Sequence, residues 1–324
     1  MTKRAFISGI SGQDGSYLAE HLLNLGYKVS GMVRRNSISE NQTERLEGIR
    51  DKLHVDYGDV TDMASIISLL KTSKPHEIYH LAAQSHVKVS FKEPIHTSQT
   101  NAIGTLNLLE AARLVCPEAR IYNAASSEMF GNNINPDGYQ DETTRMSPVS
   151  PYGVSKLYAY NICRNYRSSY NMFISSGILF NHESVRRATS FVTTKIIRGA
   201  LDIKTGKADK LVLGNLEASR DWGYAPDYVR GMHNILNHTS AEDFVLATGN
   251  THTVRYLCEY VFFKLAMNYR NHVVLDEKFT RPEELNYLKG DSTKARKLLA
   301  WEPTHSFEDM INKMMEHWIE VYSI

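Results

Sequence analysis

Three glycines, Gly9, Gly12 and Gly15, stand between a short apolar stretch at residues 5–8 and an amphipathic one at 17–25. Gly-x-x-Gly-x-x-Gly in a strand-to-helix turn lets the backbone fold back tightly and approach a pyrophosphate. The positive end of the following helix then faces the phosphates. A simple βα turn does not need three spaced glycines, so the pattern points to a dinucleotide site at the first turn of an α/β fold.

The rest of the first half agrees. Apolar strands are expected at 28–33, 53–57, 77–83, 120–126 and 173–180. Helices are expected at 63–71, 100–114 and 151–169, the last with Pro151 placed for a first helical turn. Strand alternating with helix predicts a doubly wound parallel sheet, the Rossmann arrangement, covered on both faces. Beyond residue 181 the pattern becomes irregular. We expect a dinucleotide-binding domain over 1–180, with some later segments returning to it, and a second, smaller mixed α/β substrate lobe over 181–324.

Composition narrows the function classes. The chain has 324 residues, 42% hydrophobic and 23% charged, with a net charge of +1. That balance offers no surface for nucleic acid and no polybasic membrane patch, so neither partner is expected. No apolar run is long enough for a membrane span or a signal peptide. Cys116, Cys163 and Cys258 are far apart, without metal-ligand spacing, and read as reduced thiols of a cytoplasmic protein. No metal is expected.

The end of the second strand reports on the cofactor. A carboxylate there would bind the ribose hydroxyls of NAD and repel a 2′-phosphate. This chain has Arg34 and Arg35 instead. Guanidinium groups match phosphate geometry, so the expected cofactor is NADP. Asp59, after the third strand, is a candidate adenine contact; a helix cap is the other reading.

Tyr152 and Lys156 are four residues apart, on one face of the helix beginning at Pro151. A phenol with a pKa near ~10 is a poor base at neutral pH, and a neighbouring ammonium is expected to lower it. Such a pair suits removal of a hydroxyl proton while hydride leaves the same carbon. The fifth strand ends in Ser126, Ser127 and Glu128, at the strand edge where ligands of doubly wound sheets bind. Ser126 can share the substrate hydroxyl with Tyr152. Glu128 discriminates between reactions, because hydride transfer alone needs no carboxylate there. Removing water from adjacent carbons needs a base and an acid.

These residues resemble the extended short-chain dehydrogenase/reductases and, within them, the GDP-mannose 4,6-dehydratases. "LAAQSHVKVSF", "GILFNHESVRR", "LGNLEASRDWGYAPDYV" and "RPEELNYLKGDSTKARKLLAWEP" carry the resemblance across both lobes. It implies catalytic roles for Ser126, Glu128, Tyr152 and Lys156. It implies NADP contacts at Gly9, Gly12, Gln13, Asp14, Gly15, Arg34, Arg35, Asp59, Val60, Leu81, Ala82, Ala83, Gln84, Ser85, His96, Tyr152, Lys156, His182 and Arg187. The sugar nucleotide, GDP-mannose, should meet Ser85, Ser126, Glu128, Tyr152, Asn181, Val192, Lys195, Leu213, Asn215, Arg220, Arg281 and Glu284. Assembly as a homodimer or homotetramer is implied, with the loop at 34–41 near a neighbouring subunit. Three positions depart from the family pattern. Val185 replaces a usual proline, His96 a frequent tyrosine, and Ser126 a threonine whose hydroxyl it keeps.

The implied reaction is an internal oxidation-reduction. Carbon 4 of the sugar is oxidised, Glu128 takes the proton from carbon 5, water leaves from carbon 6, hydride returns there, and a proton returns to carbon 5. The product would be GDP-4-keto-6-deoxy-D-mannose, whose remaining carbonyl is open to a second reduction by NADPH. A nucleotide-sugar 4-epimerase or 4-ketoreductase would use the same tyrosine and lysine and leave Glu128 idle. An NADP(H)-sensing protein without turnover would need neither catalytic residue.

Overall fold

The structure is a computed structural model that describes residues 2–35, 43–276, 278 and 282–323. The elements of the first half run β1 (Arg4–Ser8), α1 (Gln13–Asn24), β2 (Lys28–Val33), β3 (Leu53–Tyr57), α2 (Met63–Ser73), β4 (Glu77–His80), α3 (Val87–Lys92), α4 (Pro94–Ser98), α5 (Gly104–Val115), β5 (Arg120–Ser126), α6 (Pro151–Ser169) and β6 (Ile174–Leu179). There follow β7 (Asn181–Glu183), α7 (Val192–Lys204), β8 (Leu211–Leu213), β9 (Ser219–Tyr224), α8 (Ala225–Leu236), β10 (Phe244–Leu246), β11 (Thr251–Thr253), α9 (Val254–Lys264), β12 (Val273–Leu275), β13 (Tyr287–Leu288), α10 (Thr293–Leu299) and α11 (Phe307–Tyr322).

Seven parallel strands form the main sheet in the order β10-β6-β5-β4-β1-β2-β3. The order reverses between β1 and β4, so their carboxyl ends open a crevice. Fully buried residues such as Ile7, Ile78, Tyr79, Tyr122, Ile174 and Phe244 make the strands apolar on both faces. Leu18 and Leu22 of α1 pack with Met232 and Ile235 of α8 on one face. Ile66 of α2, Leu108 of α5 and Cys163 of α6 pack on the other. The second lobe has its own core, in which Ile196 and Ile197 of α7 meet Val261 of α9 and Met310 and Met314 of α11. Its strands β11, β9, β13 and β7 form one sheet, and β8 pairs with β12. The chain crosses back to the main sheet after residue 181, where α8 covers it and β10 extends its edge.

The structure differs locally from the sequence reading. Helix α1 starts at Gln13 rather than at 17, because Gly12 begins it and its polar first turn hides the apolar period. Strand β4 stops at His80, where the amides of Leu81 and Ala82 turn to the Ser8 hydroxyl. The helix expected at 100–114 is joined to α4 through one wide π turn, Gln99–Ile103, which keeps Asn101 buried. Among the described residues, no helix is long and apolar enough to cross a membrane, and no cluster of His, Cys, Asp or Glu has metal-ligating geometry. Most of the loop expected at a subunit contact, from residue 36 onward, lies outside the described residues, as does Arg281.

Candidate active site

A cleft of about 1120 Å³ runs from the β1–α1 turn to the second lobe. Gly9 sits at φ +74°, in the left-handed region that glycine tolerates, and a Cβ there would stand 2.9 Å from the Ala82 amide nitrogen. A Cβ on Gly15 would lie 2.3 Å from the Gly9 carbonyl. The turn therefore has space for backbone alone, and Gly12, Gln13, Asp14 and Gly15 line the cleft at the start of α1. A turn of this shape at a helix N-terminus can cradle a pyrophosphate.

Two residues of this turn bind the segment after β6 as well as facing the cleft. His182 donates from Nε2 to Asp14 at 2.8 Å and from Nδ1 to the Phe180 carbonyl at 2.7 Å. Burial alone would lower the His182 pKa and raise that of Asp14, but their mutual attraction wins and reverses both. Gln13 donates to the His182 carbonyl and accepts from the Ser184 hydroxyl.

Beyond the end of β2, Arg34 and Arg35 are both exposed, and Arg34 is the one that lies on the cleft wall. Asp59 and Val60 also line the cleft. The helix-cap reading of Asp59 fails. Its Oδ1 accepts from the Thr61 amide and hydroxyl, both at 2.8 Å, and Asp62 is the residue that caps α2. Leu81, Ala82, Ala83, Gln84, Ser85 and His96 lie along the same wall. Asn101 ties this stretch to α6 by bonding both the amide and the carbonyl of Gln84 and the Ser155 hydroxyl.

The sequence reading passed over what holds Leu81 and Ala82. Thr105 donates to the Asn101 carbonyl at 2.6 Å, so its oxygen accepts from His80 Nε2 at 3.0 Å. Burial holds the His80 pKa down to about 3, so the ring is neutral and Nδ1 accepts from Ser8. The Ser8 oxygen in turn accepts the amides of Leu81 and Ala82. An apolar strand ending in histidine gave no signal for this chain of bonds, because Ser8 and His80 meet only through the β1–β4 pairing.

The catalytic candidates converge at the carboxyl end of β5. Ser150 caps α6 by accepting the Gly153 amide at 3.0 Å, and Pro151 opens the helix. Tyr152 therefore stands in the first turn and Lys156 one turn on, both buried and both on the cleft wall. Ser126 accepts the Glu128 amide at 3.2 Å, and its hydroxyl lies near enough to the Tyr152 phenol to draw that group's pKa down. Glu128 is only 8% exposed and lines the same cleft.

The expected lowering of the phenol pKa by Lys156 is corrected here. Burial pushes Tyr152 up to about 12, Ser126 pulls it back in part, and the Glu128 carboxylate adds to the rise. Lys156 Nζ donates to the Ala124 carbonyl at 2.8 Å and stands 6.0 Å from the Tyr152 ring centroid. Its own pKa is brought down to about 8 by burial. Desolvation thus outweighs attraction for both members of the pair in the protein alone.

Toward the second lobe, Asn181, His182, Arg187, Val192, Lys195, Leu213, Asn215, Arg220 and Glu284 all lie on the wall. Arg220 and Glu284 pair at 3.1 Å, Arg187 pairs with Glu183 at 3.0 Å, and Lys195 donates to the Val212 carbonyl at 2.7 Å. Lys88, Phe191, Trp222 and Arg45 also line the cleft, and the sequence reading gave none of them a role, although Lys88 and Trp222 lie within the stretches that carry the resemblance.

Residues 6–314 match the model of the GDP-mannose 4,6 dehydratase family. The chain is 44% identical over 331 residues to GDP-mannose 4,6 dehydratase 1 of Arabidopsis thaliana, covering 98% of this chain and 90% of that one. It is 42% identical over 345 residues to GDP-mannose 4,6 dehydratase of Homo sapiens, covering 98% and 91%. Among solved structures, the fold is similar to that of DesIV, a dTDP-glucose 4,6-dehydratase from Streptomyces venezuelae with NAD bound. The TM-score there is 0.86 at 23% identity, over 98% of this chain and 97% of that one. RMD from Pseudomonas aeruginosa complexed with NADPH gives a TM-score of 0.81 at 22% identity, over 98% and 100%. The chain belongs to the GDP-mannose 4,6-dehydratase family.

Proposed function

We propose that this protein is an NADP-dependent hydro-lyase that converts GDP-D-mannose to GDP-4-keto-6-deoxy-D-mannose. The observation that carries this reading is the presence of Glu128 on the same cleft wall as Tyr152, Lys156 and Ser126. A nicotinamide cofactor fits the residues present. The cradle at Gly9 and Gly15 leaves no room for a side chain, and the α1 amides open onto it. Similar folds solved with NAD or NADPH add support. Arg34 at the end of β2 favours a 2′-phosphate and hence NADP.

When bound, the cofactor would supply the acceptor and then the donor for a hydride moved from carbon 4 to carbon 6, and its oxidised form would add positive charge that favours the phenolate of Tyr152. The protein's own residues do the rest. Tyr152 accepts the proton of the 4-hydroxyl, with the Ser126 hydroxyl beside the same phenol. Lys156, held on Ala124, fixes that end of the site. The 4-ketone acidifies the hydrogen on carbon 5. Glu128 takes it and passes a proton to the departing 6-hydroxyl, so water leaves; hydride addition at carbon 6 is then matched by return of one proton to carbon 5, which balances the proton that Tyr152 took from the 4-hydroxyl. Lys195 and Arg220 supply positive charge for the diphosphate from the second lobe. Dimer or tetramer assembly and a cytoplasmic location belong to the same reading, and rest on the family resemblance and the composition.

The test is incubation of the purified protein with a panel of nucleotide sugars and catalytic NADP, read by mass. The expected result is loss of one water from GDP-mannose with no net cofactor consumption. Inversion at carbon 4 without mass change would replace this reading with an epimerase. NADPH consumption after water loss would add reduction of the keto product.

A further inference from the structure

Helix α6 opens with an amide that its own sequence does not satisfy. The first amides of a helix have no acceptor within it. Pro151 has no N–H. The Gly153 amide donates to the Ser150 hydroxyl at 3.0 Å, and the Val154 amide to the Ser150 carbonyl at 2.9 Å. The Tyr152 amide is left over. Its acceptor is the hydroxyl of Ser90, on α3 and 62 residues away in sequence, at 3.1 Å.

Ser90 is fully buried. Its hydroxyl donates to the Val87 carbonyl at 2.6 Å, so the proton is committed and the oxygen is turned to accept. Val87 and Lys88 stand on the cleft wall, directly after the wall residues Gln84, Ser85 and His86. The carbonyl of Tyr152 is tied to the same stretch. It accepts from the Ser155 hydroxyl at 2.7 Å, Ser155 accepts from Asn101 at 3.0 Å, and Asn101 bonds both the amide and the carbonyl of Gln84. Both polar backbone atoms of Tyr152 are therefore held by serine hydroxyls that lead back to residues 84–90. The backbone from which the phenol projects is fixed by that wall as well as by α6.

We propose that Ser90 is a positioning residue for the reaction: by accepting the Tyr152 amide it holds the phenol at the height where it meets the substrate hydroxyl. This rests on the reading of Tyr152 as the base. Without Ser90 the buried amide has to seek another acceptor, and the first turn of α6 moves with it. A displacement of about 1 Å in a reacting group costs on the order of 10² in rate.

The experiment compares wild type, Ser90→Ala, Ser90→Cys and Ser175→Ala in the full chain. Ser175 is the control for stability. It too is fully buried and accepts a backbone amide, that of Glu242 at 3.2 Å, but it lies near the amino end of β6, away from the cleft. Thermal unfolding, NADP⁺ binding by calorimetry, and kcat and KM for water loss from GDP-mannose are measured, the last also with deuterium at carbon 4. Ser90→Ala is expected to lower kcat about 10- to 100-fold, with KM and NADP⁺ affinity within about twofold of wild type. Deuterium should slow it by a larger factor than wild type, because hydride removal at carbon 4 becomes the slow step. Ser175→Ala should lose stability and keep its kcat. Ser90→Cys retains a weak acceptor, should lose less rate than Ser90→Ala, and carries the same comparison if the alanine variant folds poorly. A folded Ser90→Ala with wild-type kcat would end the proposal. So would a loss of rate matched by Ser175→Ala, or one that appears in KM alone, since either would make Ser90 a support for the fold and no more. A wild-type protein that turns over no nucleotide sugar would instead defeat the reading of Tyr152 as the base, and the proposal with it.

Discussion

Asp14 and His182 form a buried carboxylate–imidazolium pair that ties the first turn of α1 to β7, at 2.8 Å. Both ring nitrogens of His182 face oxygens that only accept, Asp14 on one side and the Phe180 carbonyl on the other, so the ring carries both protons. The ring also stacks on Tyr228, with centroids 4.6 Å apart. The glycine-rich turn is thus held from outside as well as by its own backbone.

This pair should leave a signature in stability against pH. The His182 pKa is raised from 6.5, so its contribution is whole below that value and is lost as pH climbs through the raised one. The Asp14 pKa is lowered from 3.8, so its contribution is whole above that value and is lost as pH falls through the lowered one. Urea unfolding of wild type and His182→Gln should differ most near about pH 5.5 and converge as the solution becomes alkaline. A gap that is constant with pH would deny the pair its charge.

Lys156 should show the opposite slope. Its pKa falls from 10.5 to about 8, so the folded state holds fewer protons than the unfolded chain between those values. Stability therefore rises with pH across that window. Against Lys156→Met, the wild type should gain on the order of 3 kcal/mol from pH 8 to 10.5, since each pH step of one contributes about 1.4 kcal/mol. Parallel curves for the two proteins would mean that the amine is not desolvated.

Glu128→Gln separates the two halves of the proposed reaction. Removing a proton-transfer group costs about 10²–10⁴ in rate. Water loss from GDP-mannose should slow by that factor, while oxidation at carbon 4 persists and shows as transient cofactor absorbance. Tyr152→Phe should abolish that transient as well. Unchanged water release from Glu128→Gln would remove the carboxylate from the mechanism.

Gly15→Ala tests the cradle. The added carbon would meet the Gly9 carbonyl at 2.3 Å and the Ile10 Cα at 2.7 Å, all backbone, which cannot rotate away. We expect a loss of about 3 kcal/mol, the upper end for overpacking, together with loss of cofactor binding. Gly26→Ala is a control: nothing lies within 4 Å of its added carbon, although its φ of +80° adds strain. It should lower stability without weakening the cofactor.

The sequence by itself determined the doubly wound sheet, the helix that presents Tyr152 and Lys156, and the cofactor cradle. These depend on local rules: period, helix starts, and glycines where a Cβ has no room. Strands β2, β3 and β5 and helix α6 begin and end where the pattern places them. The tertiary structure alone decided what needs two distant segments. It put Arg45, not Arg35, on the cleft wall, and joined Ser8 to His80, 72 residues apart. It also set the protonation balance of Tyr152, because a spacing of four residues specifies a shared helix face but not how much water reaches it. Desolvation is a property of everything packed around a group, and no local pattern encodes it.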